Sequence, residues 1–71
     1  MDAKTIKLMI NGQPKDFSAP LNLYDVLEQE EVIGMMIAVA RNNDVVPRGV
    51  WAQTFLDDGD LIEIVAPMQG G

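Results

Sequence analysis

The chain predicts an α+β fold in which one main helix packs on one face of a mixed four- or five-stranded sheet. Three observations carry that expectation. Strand-like runs stand near both ends: Lys4–Ile10, where apolar residues alternate with period two, and Leu61–Val65. A single stretch with helical spacing, built on Leu23, Val26 and Leu27, lies between the strand-like runs. Asn11-Gly12, a strong hairpin signal, directly follows the first run. A helix that crosses between strand pairs buries its apolar stripe by lying on the sheet, a two-layer solution.

Each element follows from its residues. In the first strand Ile6, Leu8 and Ile10 point one way, and Thr5, Lys7 and Met9 the other. A type I′ turn at Asn11-Gly12 needs positive φ at both central residues, and returns the chain into a strand over Gln13–Phe17. Pro14 places that strand at an edge, because proline has no N–H for a ladder. Ser18-Ala19-Pro20 is a loop. Asn22 is an N-cap with Asp25 three residues on, which opens a helix from Leu23 to Glu31 that ends near Gly34. Tyr24 sits at the helix margin, and Glu28, Gln29 and Glu31 lie on its outer face.

Met35–Arg41 is a second apolar run, expected as a central strand buried on both faces. The long crossover into it predicts a parallel partner. Asn42-Asn43-Asp44 is turn chemistry, Val45-Val46 a short strand ended by Pro47, and Gly49–Phe55 an irregular connection with a turn of helix. Trp51 is expected as a lid over the core. Asp57-Asp58-Gly59-Asp60 turns the chain into the last strand, Leu61–Val65. The β-grasp, or ubiquitin-like roll, is the compact fold with this order and length. Its core is expected to draw on Ile6, Leu8, Ile10, Val26, Leu27, Ile37, Val39, Leu61 and Ile64.

Composition narrows the functions. Seventy-one residues make one small domain, and the 48% hydrophobic content must hold it, since there is no cysteine to form a disulfide. With no histidine either, a zinc site of the usual ligands is excluded and no metal is expected. A net charge of −6 argues against nucleic acid. No apolar run approaches the roughly 20 residues that span a bilayer, and residues 1–4 do not resemble a signal peptide. The expectation is a cytoplasmic protein, monomeric when free, without a membrane partner.

Gly70-Gly71 follows the last strand and the spacer Ala66-Pro67-Met68-Gln69. A side-chain-free end can thread a narrow channel, because glycine lacks a Cβ and accepts backbone angles closed to other residues. The carboxylate would then be the reactive group. The competing reading is a frayed end or a cloning remnant. The expected organisation is a domain over residues 1–65 and a flexible tail over 66–71. A terminal carboxylate is ionised and a poor electrophile at neutral pH, so it must be activated from outside. The chain has no phosphate-binding GxxxxGK loop, and no cysteine or histidine to act as nucleophile or base. It is expected to be a carrier and not an enzyme.

Several segments together resemble the ThiS family of sulfur carriers. They are Ile37-Ala38-Val39-Ala40-Arg41-Asn42, Val45-Val46-Pro47-Arg48, Trp51-Ala52-Gln53-Thr54, Leu56-Asp57-Asp58-Gly59-Asp60 and Ile62-Glu63-Ile64-Val65, followed by Gln69-Gly70-Gly71. Asn11-Gly12 and Leu23-Tyr24-Asp25-Val26-Leu27 stand where that family has them. The first six residues and the Met35-Met36 pair are not part of its pattern. The resemblance implies a thiamin-pathway sulfur carrier whose Gly71 is adenylated by a ThiF-type enzyme using ATP. A cysteine persulfide donor then supplies sulfur, giving a thiocarboxylate that serves thiazole synthase of the ThiG type. Gly71 is the modified residue; Gly70, Gln69, Met68 and Pro67 provide access and partner contact. No cofactor is bound by the chain itself.

Neighbouring readings stay open. The small subunit of molybdopterin synthase is also a diglycine β-grasp, though that family tends to be longer and Pro47-Arg48…Trp51 favours thiamin. A ubiquitin-like protein modifier and a plain interaction domain are the others. The Asp57–Asp60 segment lacks the alternating ligands of a calcium loop and reads as a turn. Asp25 and Glu28 have no partner nearby that would make them an acid/base pair. Arg48 is expected to pair with an acidic turn, or else to present a cation to a partner.

Overall fold

The computed structural model describes residues 4–66, and the expectations placed on 67–71 lie outside them. The order is β1 (Lys4–Ile10), β2 (Gln13–Ala19), α1 (Leu23–Gln29), β3 (Ala38–Arg41), β4 (Asp44–Val45), a 3₁₀ helix (Arg48–Gln53) and β5 (Leu61–Val65). The five strands form one mixed sheet in the order β2-β1-β5-β3-β4. Proline-bearing β2 is an edge, as expected, and β4 is the other. The parallel pair differs from expectation: it joins the first and last strands, with Met9 opposite Leu61 and Ile10 opposite Ile62. The crossover leads instead into β3, which lies antiparallel to β5. The centre of the sheet is therefore β5, and β3 is not buried on both faces.

The hairpin forms as its turn residues require, with φ 51° at Asn11 and 84° at Gly12. Strand β2 runs two residues past Phe17, because Ser18 and Ala19 still pair with Thr5 and Lys4. The helix opens on a reciprocal capping box: Asp25 N–H donates to Asn22 Oδ1 at 2.8 Å, and Asn22 N–H to Asp25 Oδ2 at 3.4 Å. It closes two residues earlier than expected, and without glycine. Glu31 takes the left-handed conformation at φ 64°. Its N–H reaches Glu28 O, and Val32 N–H reaches Leu27 O at 3.0 Å. That pair of bonds is a Schellman closure, and half-buried Val32 packs on the core as its hydrophobic contact.

Residues 35–37 belong to the connection and not to β3; Met35 and Met36 are 50% and 78% exposed. Asp44, expected in a turn, opens β4, while Asn42 and Asn43 make the tight turn with φ of 51° and 72°. The core comprises Ile6, Leu8, Ile10, Phe17, Leu21, Leu23, Val26, Leu27, Val39, Trp51, Leu56 and Ile62. Each such side chain contributes roughly 1.5–3 kcal/mol by leaving water. Trp51 is no lid but a fully buried member, its Nε1–H satisfied by Val46 O at 2.9 Å. Leu61 is 47% exposed, and Ile62 takes its place in the core. Ile37 and Ile64 are only partly buried.

Candidate functional site

The chemistry expected of this chain lies beyond β5, so what positions the site is the structure around that strand. Its start is held by the acidic turn. Asp57 N–H donates to Asp60 Oδ2 at 2.8 Å, Asn42 Nδ2 to Asp60 Oδ1 at 3.0 Å, and Arg41 Nε to Asp60 Oδ2 at 2.9 Å. Arg41 also bridges Asp57 at 3.2 Å. Burial alone would raise the Asp60 carboxyl, but these hydrogen bonds and the Arg41 charge outweigh it and hold the group below the usual aspartate value. The turn is tied to β1 as well: Lys7 N–H donates to Asp58 Oδ1, and Gly59 N–H to Lys7 O, both at 2.7 Å. The acidic residues here are thus structural partners, in line with the turn reading.

Sequence reasoning missed both Arg41 and two asparagines that grip β5. Asn42 Oδ1 accepts from Leu61 N–H at 2.9 Å, at the start of the strand. Asn11 Oδ1 accepts from Ile64 N–H at 2.8 Å near its end. Their only signal was that each opens a two-residue turn at positive φ, which aims a short amide side chain back at the neighbouring strand.

Arg48 does not pair with the acidic turn. Its guanidinium lies over the Trp51 ring, 4.5 Å from the centroid, and Nη2 donates to Met35 O at 3.1 Å. This contact pins the 35–37 connection against the 3₁₀ helix. The helix in turn is strapped beside α1 by Leu23 N–H to Thr54 O at 2.8 Å and Leu56 N–H to Leu21 O at 2.9 Å.

The sheet face away from α1 is left open. Register places Met9 beside Leu61, Ala38 beside Val65, and Ala40 with Val45 and Glu63 on that side. Leu61, Val45 and Val65 are 47%, 75% and 59% exposed around Glu63 on this face, and the described chain ends just past Val65 at Ala66. The predicted site residues Pro67, Met68, Gln69, Gly70 and Gly71 continue beyond it, outside the described residues. Among the described residues no cluster of three His, Cys, Asp or Glu side chains could hold a metal ion. No helix among them is long and apolar enough to cross a membrane.

The profile of the ThiS family matches residues 8–71, which take in the end of β1, the other four strands, the helix and the terminal diglycine. The chain belongs to the ThiS family. It is 32% identical over 66 residues to the sulfur carrier protein ThiS of Escherichia coli, a match covering 93% of this chain and all of that protein. It is 41% identical over 66 residues to a thiazole synthase of Paramagnetospirillum magneticum, of which it spans 20% of the length. The crystal structure of the thiamine biosynthesis protein ThiS from Geobacter metallireducens superposes with a TM-score of 0.79 at 29% identity, over 93% of this chain and all of that one. The β-grasp architecture expected from the element order is the ThiS architecture.

Proposed function

We propose that this ThiS-family sulfur carrier of thiamine biosynthesis works through its C-terminal carboxylate. A ThiF-type adenylating enzyme converts the Gly71 carboxylate to an acyl-adenylate with ATP, releasing pyrophosphate. The terminal sulfur of a cysteine persulfide on a donor displaces AMP to give an acyl disulfide. A second thiol on the enzyme side cleaves it, leaving the thiocarboxylate on Gly71 and a disulfide between the two cysteines. The thiocarboxylate hands its sulfur to a ThiG-type thiazole synthase. Gly70 gives the end access to a narrow channel, and Gln69, Met68 and Pro67 meet the partner on the way. The carrier binds no cofactor of its own and works in the cytoplasm, where the partner enzyme finds ATP.

The observation that carries this reading is that the ThiS match runs through Gly71 itself, in a chain with neither cysteine nor histidine. Such a chain needs an outside enzyme for both activation and sulfur transfer. The match within a thiazole synthase favours that enzyme, over a molybdopterin-type one, as the recipient. The open face of β5, β3 and β4, on which Leu61, Val45 and Val65 stand exposed with Val65 next to the exit, offers the adenylating enzyme an apolar surface on the strand that leads to the segment it must receive.

Intact mass spectrometry tests the chemistry. Protein purified from cells that also express the adenylating enzyme and a persulfide donor is expected to gain about 16 daltons, oxygen exchanged for sulfur, on the C-terminal peptide. Unmodified protein under those conditions, or a mass gain on any other peptide, contradicts the proposal.

A further inference from the structure

β1 and β5 form a short parallel ladder that the main chain of β1 abandons early. Asn11 N–H donates to Ile62 O at 2.9 Å, a regular ladder bond. The next bond in such a ladder would run from Ile64 N–H to the carbonyl of residue 11. At Asn11, however, the main chain turns away with φ 51° to make the hairpin. The Asn11 carboxamide takes over. Its Oδ1 accepts from Ile64 N–H at 2.8 Å and its Nδ2 donates to Ile64 O at 3.2 Å. One side chain thereby reproduces a peptide group and carries the ladder beyond the end of its own strand. It does so at the last point before the exit, since Val65 ends β5 and Ala66 is the last described residue.

We infer that Asn11 is a positioning residue: its carboxamide fixes the direction in which the chain leaves β5 and so presents residues 67–71 to the partner from one constant starting point. Without it, the Ile64 peptide has no partner from β1, and the strand end can swing on its β3 contacts alone. A swinging base multiplies the conformations that miss a narrow channel, and ordering it on docking lowers the productive fraction. For its catalytic consequence the inference rests on the proposed use of Gly71; for its structural one it rests on the Ile64 contacts alone.

Three variants of the full chain separate positioning from stability. Asn11→Gly keeps the positive φ and the hairpin but removes the carboxamide. Asn11→Asp keeps an acceptor for Ile64 N–H, loses the donor and sets a carboxylate against Ile64 O. Asn42→Gly is the control, releasing the start of β5 at Leu61 together with a contact to Asp60, far from the exit. Amide exchange at Ile64, Val65 and Ala66 is expected to quicken about tenfold in Asn11→Gly relative to Ile62, the scale of one or two lost hydrogen bonds. In ATP–pyrophosphate exchange with the purified adenylating enzyme, kcat is expected to fall about tenfold for Asn11→Gly with KM within about twofold, because docking and threading are separate. Asn11→Asp falls between, and Asn42→Gly keeps the wild-type kcat below its melting temperature. Unchanged exchange at Ile64–Ala66, or a wild-type kcat in Asn11→Gly, overturns the inference. If the wild-type chain itself supports no pyrophosphate exchange, the use of Gly71 is what fails, and amide exchange alone decides the role of Asn11.

Discussion

The two faces of β5 carry the same kind of residue to opposite fates. Ile62 is 1% exposed beneath α1, while its neighbours Leu61 and Val65, on the other face, are 47% and 59% exposed. Hydrophobicity does not separate them; register does, because a strand alternates sides with every residue. The inward face holds the fold. The outward face adds nothing to the core and leaves apolar side chains bare on the side where the proposed partner is expected to dock.

That contrast breaks most clearly at Ile62. Ile62→Ala is expected to cost roughly 2–5 kcal/mol in urea unfolding, a large share of a total near 5–15 kcal/mol. Leu61→Ala, the same kind of truncation one residue earlier, is expected to stay within about 0.5 kcal/mol. Equal losses would mean that the outward face is packed after all.

Asp60 sharpens the inward side. Asp60→Asn is expected to destabilise by about 1–3 kcal/mol, since Arg41 loses its buried anion and one of the two accepting oxygens becomes a donor facing other donors. Because the folded-state carboxyl is held below its unfolded value, its contribution is full above that value, near pH 3.9, and is lost as pH falls through the folded one. The acid limb of the stability curve should therefore flatten in Asp60→Asn. An acid limb identical in slope would place the pH dependence elsewhere.

The outward side is tested by Leu61→Asp, which should raise KM for the adenylating enzyme about tenfold with a small change in melting temperature. An unchanged KM would move the docking surface off this face. The smallest effect is expected at the helix end. Glu31→Gly relieves a left-handed non-glycine residue, and a gain of about 0.5–1 kcal/mol is expected in urea unfolding.

Much of this was legible in the residues, and the failures have physical causes. Asn11-Gly12, Pro14 and the Asn22/Asp25 box were readable because each acts through its immediate neighbours. The face of β5 was misjudged because Leu61-Ile62-Glu63-Ile64-Val65 is apolar at four of five positions; only Glu63, which shares a face with Leu61 and Val65, marked the outer side. Met35–Ile37 has the apolar content of a strand but no strand to pair with among the described residues, and the pairing of β1 with β5 spans most of the chain. Gly34 is the residue whose chemistry suits a helix end, whereas Glu31 makes the turn. Of the candidate site, the terminal diglycine was plain in the sequence. The Asn11 contact to Ile64 was not, because it bridges 53 positions and depends on the parallel register.

In the proposed function the fold presents the end of the chain and Gly71 reacts. Deletion of Gly71 tests it most directly, measured as ATP–pyrophosphate exchange with the purified adenylating enzyme alongside thermal unfolding. The expected result is loss of exchange with the melting temperature nearly unchanged, since every helix and strand of the described residues lies within 4–65. Undiminished exchange by the shortened chain would contradict the account.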